Sequence, residues 1–154
     1  MQIHIEQQSG LIELSPDQIE ALAREVLSQE NVNTDQLSIY FVSTETISAL
    51  HEQFFNDPTP TDCITLPIDS PQESKNGNTP HILGEIFVCP STAEEYIQKN
   101  GGKLEEELSL YIVHALLHLV GYDDIDQEDQ KMMREAEKKH LQHLKKNSLL
   151  LALI

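Results

Sequence analysis

Apolar and polar positions alternate over Gln2 to Glu6, which puts Ile3 and Ile5 on one face and predicts a half-buried strand. The period then changes. Ser15-Pro16-Asp17-Gln18 carries an N-cap serine, a proline at the first helical position and a glutamine three residues after the cap, the pattern of a capping box. Ile19, Leu22, Ala23, Val26 and Leu27 follow at helical spacing, so a first helix is expected there. A second strand is predicted over Leu37 to Val42. After it comes a short helix with Thr44 as its cap and Ile47, Leu50 and Phe54 on its buried side. Two prolines within Asn56 to Thr61 bar helix and mark a turn-rich connection to a third strand, Asp62 to Leu66.

The longest polar run lies between Ile68 and Pro80 and reads as a mobile loop, a candidate lid, because it interrupts two strands of what should be one sheet. His81 to Cys89 is the fourth strand. Pro90-Ser91-Thr92-Ala93-Glu94 repeats the capping-box pattern and opens a helix to about Lys99, closed by Asn100, Gly101 and Gly102. The next helix, Lys103 to Val120, begins with Glu105, Glu106 and Glu107 near the positive end of its dipole. Its later turns are apolar nearly all round, as expected for a helix in the middle of the domain. Asp126 caps a last long helix to about Asn147, with Met133, Ala136, His140 and Leu144 inward. The apolar tail from Leu149 to Ile154 either docks on the domain or awaits a partner.

Together these elements describe one α+β domain over residues 1–154, a small mixed sheet of about four strands with helices packed over it and the 103–120 helix central. A chain of 154 residues can bury a core without disulfides or a structural metal. No apolar run approaches the ~18 residues of a transmembrane helix, and the N-terminus lacks the basic start and apolar core of a signal peptide. Nothing therefore directs export, and no membrane partner is expected. Cys63 and Cys89 fall in strand-like runs and read as small buried hydrophobes in a reducing compartment.

The net charge of -16 argues against broad, sequence-blind binding of nucleic acid, because phosphate backbones are repelled by acidic surfaces. The charge is unevenly spread, however. Six of the ten basic residues, Lys131, Arg134, Lys138, Lys139, Lys145 and Lys146, lie in the last 24 residues. At 100° per residue, Lys131, Arg134, Lys138 and Lys145 share one stripe of a helix, either a local basic patch or simply a solvated face.

The chemistry sits at His114-Ala-Leu-Leu-His118-Leu-Val-Gly121-Tyr-Asp-Asp124. Histidines at i and i+4 lie on one helical face with about 6 Å of axial rise between them, so both imidazoles can converge on one ion. Gly121 can take the left-handed conformation that ends the helix and turns Asp124 back toward the histidines. Two imidazoles and one carboxylate form a ligand set for catalytic zinc, with the fourth position left to water. The alternative is a pair of core histidines with satisfied ring nitrogens. Burial among Ile112, Val113, Leu116, Leu117 and Leu119 costs free energy unless something pairs the imidazoles, and that favours the metal. The protease pattern H-E-x-x-H has a general base where this chain has Ala115, so a peptidase is disfavoured. Asp123 or Glu85 could orient an attacking water, although Asp123 equally suits a turn residue capping its own backbone and Glu85 a residue edging its strand.

The His-x-x-x-His-Leu-x-Gly-Tyr-Asp run resembles the signature of the YbeY family of metal-dependent endoribonucleases. Pro58-Thr-Pro-Thr61-Asp62-Cys-Ile-Thr-Leu-Pro67 is similar to that family's P-T-D-V-L-S-F-P segment, and Leu83-Gly84-Glu85-Ile-Phe-Val to its L-G-D-I-x-I strand, in the same order. The resemblance implies a cytoplasmic, single-strand-specific endoribonuclease of rRNA maturation and ribosome quality control. Its ligands would be His114, His118 and Asp124 around one zinc or another divalent transition metal, and its partners single-stranded RNA, rRNA and the ribosome, with no DNA expected. It also implies Thr61, Asp62, Gly84 and Glu85 as walls of the substrate groove. The chain departs from the family pattern at Asp124, where a third histidine is usual, and at Ala115, where glycine is usual. A family arginine before the P-T-D segment is missing from Phe54-Phe55-Asn56-Asp57. A ribosome-associated binding protein with a structural metal, or a metal-dependent hydrolase of another substrate, are the other readings.

Overall fold

The computed structural model describes residues 1–73 and 79–153. The elements run β1 (Gln2–Gln7), α1 (Pro16–Gln29), β2 (Gln36–Phe41), α2 (Thr44–Phe55), β3 (Cys63–Pro67), β4 (Ile82–Val88), α3 (Pro90–Asn100), α4 (Leu104–Leu119) and α5 (Gln127–Lys146). The four strands form one mixed sheet in the order β1-β2-β4-β3. β1 and β4 each pair parallel with β2, and β3 pairs antiparallel with β4 along the outer edge. The fold is a single small α+β domain, as the alternation of strand and helix periods predicts. Of the polar run read as a loop and candidate lid, residues 74–78 lie outside the described residues.

Leu37, Ile39 and Phe41 from β2 and Leu83, Ile86 and Val88 from β4 are fully buried against α1 and α4. α4 packs against β3, β4, α1, α3 and α5, and its nearly all-round apolar surface is the consequence of having neighbours on every side. The histidines ride on the last turns of this helix, so their positions are set by the most constrained element of the domain.

Four details differ from the sequence expectations. Ser43, not Thr44, caps α2, its hydroxyl accepting from the Thr46 amide at 3.2 Å; a serine one residue earlier does the same work. Phe54 points outward at 46 % exposure, because α2 packs chiefly on β3 and turns Ile47, with Leu50 in part, toward it. The second capping box does not form. Cys89 is the N-cap of α3 without a side-chain hydrogen bond, and Pro90 at the first helical position starts the helix instead. The box at Ser15 is half made: Ser15 accepts from the Gln18 amide, but the Gln18 side chain accepts from the Ala152 amide at 3.0 Å.

That last bond belongs to the tail, whose described residues, 149–153, dock on the domain. Leu151 is buried, its amide donates to Ser109 Oγ at 3.0 Å, and Leu14 and Leu153 form an isolated antiparallel bridge. Among the described residues no helix is long and apolar enough to cross a membrane. Cys89 is buried and Cys63 half-buried, and both are free thiols.

Candidate metal centre

α4 ends in a closed turn. Gly121, at φ +114°, donates its amide to His118 O at 3.2 Å, and Tyr122 donates to Leu117 O at 2.9 Å. This paired closure needs a residue with positive φ after the last helical turn, which glycine supplies without a Cβ penalty. The reversal brings Asp124 back over the histidine face. His114 Nε2 and His118 Nε2 are 3.1 Å apart, and Asp124 Oδ2 lies 3.6 Å from the first and 3.4 Å from the second. The two rings stand nearly perpendicular, at 88°.

Both histidines are oriented through their other nitrogen. His114 Nδ1 donates to Glu137 Oε2 at 2.6 Å, and His118 Nδ1 donates to the Tyr122 carbonyl at 3.1 Å. A carboxylate and a carbonyl are acceptors only, so in its neutral form each ring carries its proton on Nδ1 and presents an Nε2 lone pair inward. Two lone pairs and a carboxylate facing one point repel unless a cation sits among them. A tetrahedral ion with bonds of about 2.0–2.1 Å needs donors about 3.3–3.4 Å apart, and the three observed separations bracket that value. The donor set and its spacing fit a zinc-sized ion.

Burial pushes the His114 imidazole toward neutrality, but the hydrogen bond and charge of Glu137 outweigh it and raise its proton affinity. Burial likewise opposes ionisation of Glu137, yet the His114 hydrogen bond and Arg134 hold its carboxyl below the usual range. Arg134 reaches Glu137 Oε1 at 3.1 Å. Glu137 is thus a buried carboxylate bonded on one side to a histidine of the tripod and on the other to a guanidinium.

Two grooves meet over the tripod and share Asp62, His114 and Asp124. One, of about 340 Å³, runs between α2 and β3 past His51, Phe55 and Thr61. The other, of about 510 Å³, runs between α3 and α5 past Tyr96, Glu107 and Arg134. Asp62 accepts from the Cys63 amide at 2.8 Å, which holds its carboxylate at the rim of β3. Burial, with Asp62 second, pushes the Cys63 thiol up and keeps it a neutral wall.

The structure brings His114, His118 and Asp124 together and lines the grooves with Thr61 and Asp62. It does not bring in the other three sequence candidates. Glu85 shares a sheet face with Tyr40 and Phe87, opposite the face that packs on α4, so it cannot reach a water at the tripod. Gly84 is a packing residue: a Cβ there would lie 2.6 Å from Leu66 O and 2.8 Å from Leu119 Cδ2. Asp123 accepts from the Asp124 amide at 2.9 Å and serves its own turn. Glu137 was missed, although it falls on the same inward stripe as Met133, Ala136, His140 and Leu144, and an acid on an apolar stripe is itself a signal. A second group, Asp69, Glu73 and His81, has donor atoms within similar reach. Both His81 nitrogens are already engaged, by Thr34 Oγ1 at 2.7 Å and Ser70 O at 2.8 Å, so no lone pair is presented to an ion there.

The family model described as Endoribonuclease YbeY matches residues 2–145. A curated relative from Protochlamydia amoebophila named Endoribonuclease YbeY is 50 % identical over 132 residues, covering 85 % of this chain and 85 % of that protein. A Chlamydia muridarum relative of the same name is 40 % identical over 151 residues, 97 % of this chain and 92 % of that one. The solution structure of TM1509 from Thermotoga maritima superimposes with a TM-score of 0.62 at 27 % identity, covering 91 % of this chain and 87 % of that one. On the match across nearly the whole chain and the identity to these relatives, the protein belongs to the endoribonuclease YbeY family.

Proposed function

We propose that this protein is a cytoplasmic, metal-dependent, single-strand-specific endoribonuclease acting in rRNA maturation and ribosome quality control, with one zinc ion held by His114, His118 and Asp124. The observation that carries the reading is the convergence of two inward-facing Nε2 atoms and one carboxylate oxygen at 3.1 to 3.6 Å, beside grooves open to solvent. When bound, the ion supplies a Lewis acid for a phosphodiester oxygen and lowers the pKa of a coordinated water. The chain's own residues do the positioning. Glu137 and the Tyr122 carbonyl fix both imidazole tautomers, and Thr61 and Asp62 wall the approach on the β3 side. Grooves that leave the tripod in two directions suit a strand that enters on one side and exits on the other, as cleavage within a chain requires. Family membership supports RNA as the substrate. The ribosomal assignment rests on the family resemblance.

A second reading, a ribosome-associated binding protein with reduced catalysis, draws on the absence of Lys and Arg from the described lining of the α2–β3 groove. Incubating zinc-loaded protein and His114→Ala with single-stranded and duplex RNA separates the readings. Cleavage of single strands by the unaltered protein alone supports the nuclease, binding without cleavage supports the second, and neither points to a hydrolase of another substrate.

A further inference from the structure

We propose that Arg134 and Tyr96 form a substrate-binding wall on the α3–α5 side of the tripod, Arg134 holding an RNA phosphate and Tyr96 stacking the adjoining base. The inference rests on the ribonuclease reading of the site. A phosphodiester approaching this protein meets a chain of net charge -16, and the α2–β3 groove offers it no lysine or arginine among its described lining residues. The other groove does. Arg134 lines it together with His114, Asp124 and Tyr96. Two of that groove's carboxylates are already committed, Asp124 to the tripod and Glu137 to His114, which leaves Asp62 and Glu107 to repel a phosphate.

Arg134 is placed for this and is not consumed by its ion pair. Its side chain is 69 % exposed, and only Nη1 is engaged, at 3.1 and 3.4 Å from the two Glu137 oxygens. Nη2 and Nε have no partner among the described residues, and the planar guanidinium can offer both to a phosphate while Glu137 anchors the third nitrogen. Because Glu137 also holds His114, one carboxylate fixes the distance between the guanidinium and the tripod. Lys131 and Lys138 are exposed about one turn to either side on the same stripe of α5 and continue the positive track. Across the groove, Tyr96 of α3 is a large aromatic at 47 % exposure whose hydroxyl has no hydrogen bond among the described residues. Single-stranded RNA is commonly held by this pairing, a cation on the backbone and an aromatic face under an unstacked base.

The test uses the zinc-loaded full chain and a fluorescently labelled single-stranded 2′-O-methyl RNA, its integrity checked on a gel. Anisotropy should show Arg134→Gln weakening binding about tenfold and lowering the slope of log K against log salt by about one, with Arg134→Lys recovering the slope. Tyr96→Ala should weaken binding at least about fivefold with the slope unchanged, and Tyr96→Phe should bind as the unaltered protein does. Zinc content should stay the same in all four, and the melting temperature should stay the same in both Tyr96 variants. If Arg134→Gln keeps its affinity and slope, or if it loses zinc and so acts only through Glu137, the proposal is overturned. Parallel cleavage assays keep the two ideas apart. An unaltered protein that binds in this pattern and never cuts RNA removes the nuclease reading and leaves the wall. One that cuts equally well with either residue altered removes the wall alone, and failure of the unaltered protein to bind the oligonucleotide removes both.

Discussion

Glu137 decides how the tripod behaves when no ion is bound. Its carboxyl sits below the ordinary 4.5 and His114 above the ordinary 6.5. A depressed carboxyl contributes stability that is full above its unfolded value and lost as pH falls through the folded one. A raised imidazole contributes stability that is full below its unfolded value and lost as pH rises through the folded one. In chelator the pair therefore stabilises the protein fully between about pH 4.5 and 6.5. Glu137→Gln should lower the melting temperature of chelated protein most near pH 5.5, with the difference shrinking at pH 8.5. An equal loss at both values would mean that the carboxylate acts by packing and not by charge. The same substitution should reduce zinc affinity about 10- to 100-fold, as read by competition with a chromophoric chelator, because His114 loses the partner that fixes its tautomer. Asp124→Ala should remove stoichiometric zinc from the purified protein; retention of the ion would place the third ligand elsewhere.

Among the elements, β3 is the one to test, because this edge strand carries the groove wall and is held from one side only. Gly84 lets β4 approach it: any Cβ there meets the Leu66 carbonyl and Leu119 of α4 at once. Gly84→Ala should cost on the order of 1–3 kcal/mol in urea unfolding and loosen the wall at Thr61 and Asp62. An unchanged midpoint would show that the strand pair shifts freely. What the sequence revealed follows this division between local and distant structure. The tripod was legible because helix period, glycine stop and returning Asp124 all lie within residues 114–124. Local pattern also located the strands and helices, since Ile19 through Leu27 and the α4 apolar run bury the faces they predict. The role of Glu137 was hidden because it depends on how α5 lies against α4. Glu85 stayed open for a related reason: strand alternation says which residues share a face, and only the packed sheet says which face meets α4. Caps failed where two hydroxyls compete, as at Ser43 and Thr44, or where a proline starts the helix by itself, as at Pro90.

On the scale of the whole molecule, charge and closure matter most. An acidic body repels RNA while a short basic track attracts it, and added salt weakens both effects. RNA affinity should therefore fall less steeply between 50 and 200 mM salt than the basic residues of α5 alone would give. A steep fall, with a slope matching every one of those residues, would show that the body's charge is not felt. The docked tail closes the other side of the domain. Removing residues 149–154 exposes the Leu151 site and leaves Ser109 Oγ without the Leu151 amide. The shortened chain should lose about 1.5–3 kcal/mol in urea unfolding, the range for burying one leucine.

The two imidazoles do not face mutation equally. His118 takes its alignment from the peptide oxygen of residue 122, which every amino acid carries, whereas His114 depends on a single acid from a distant helix. Genetic drift can thus detune one donor and hardly touch the other. Metal affinity should accordingly respond to substitution at position 137 and hardly at all to substitution at position 122.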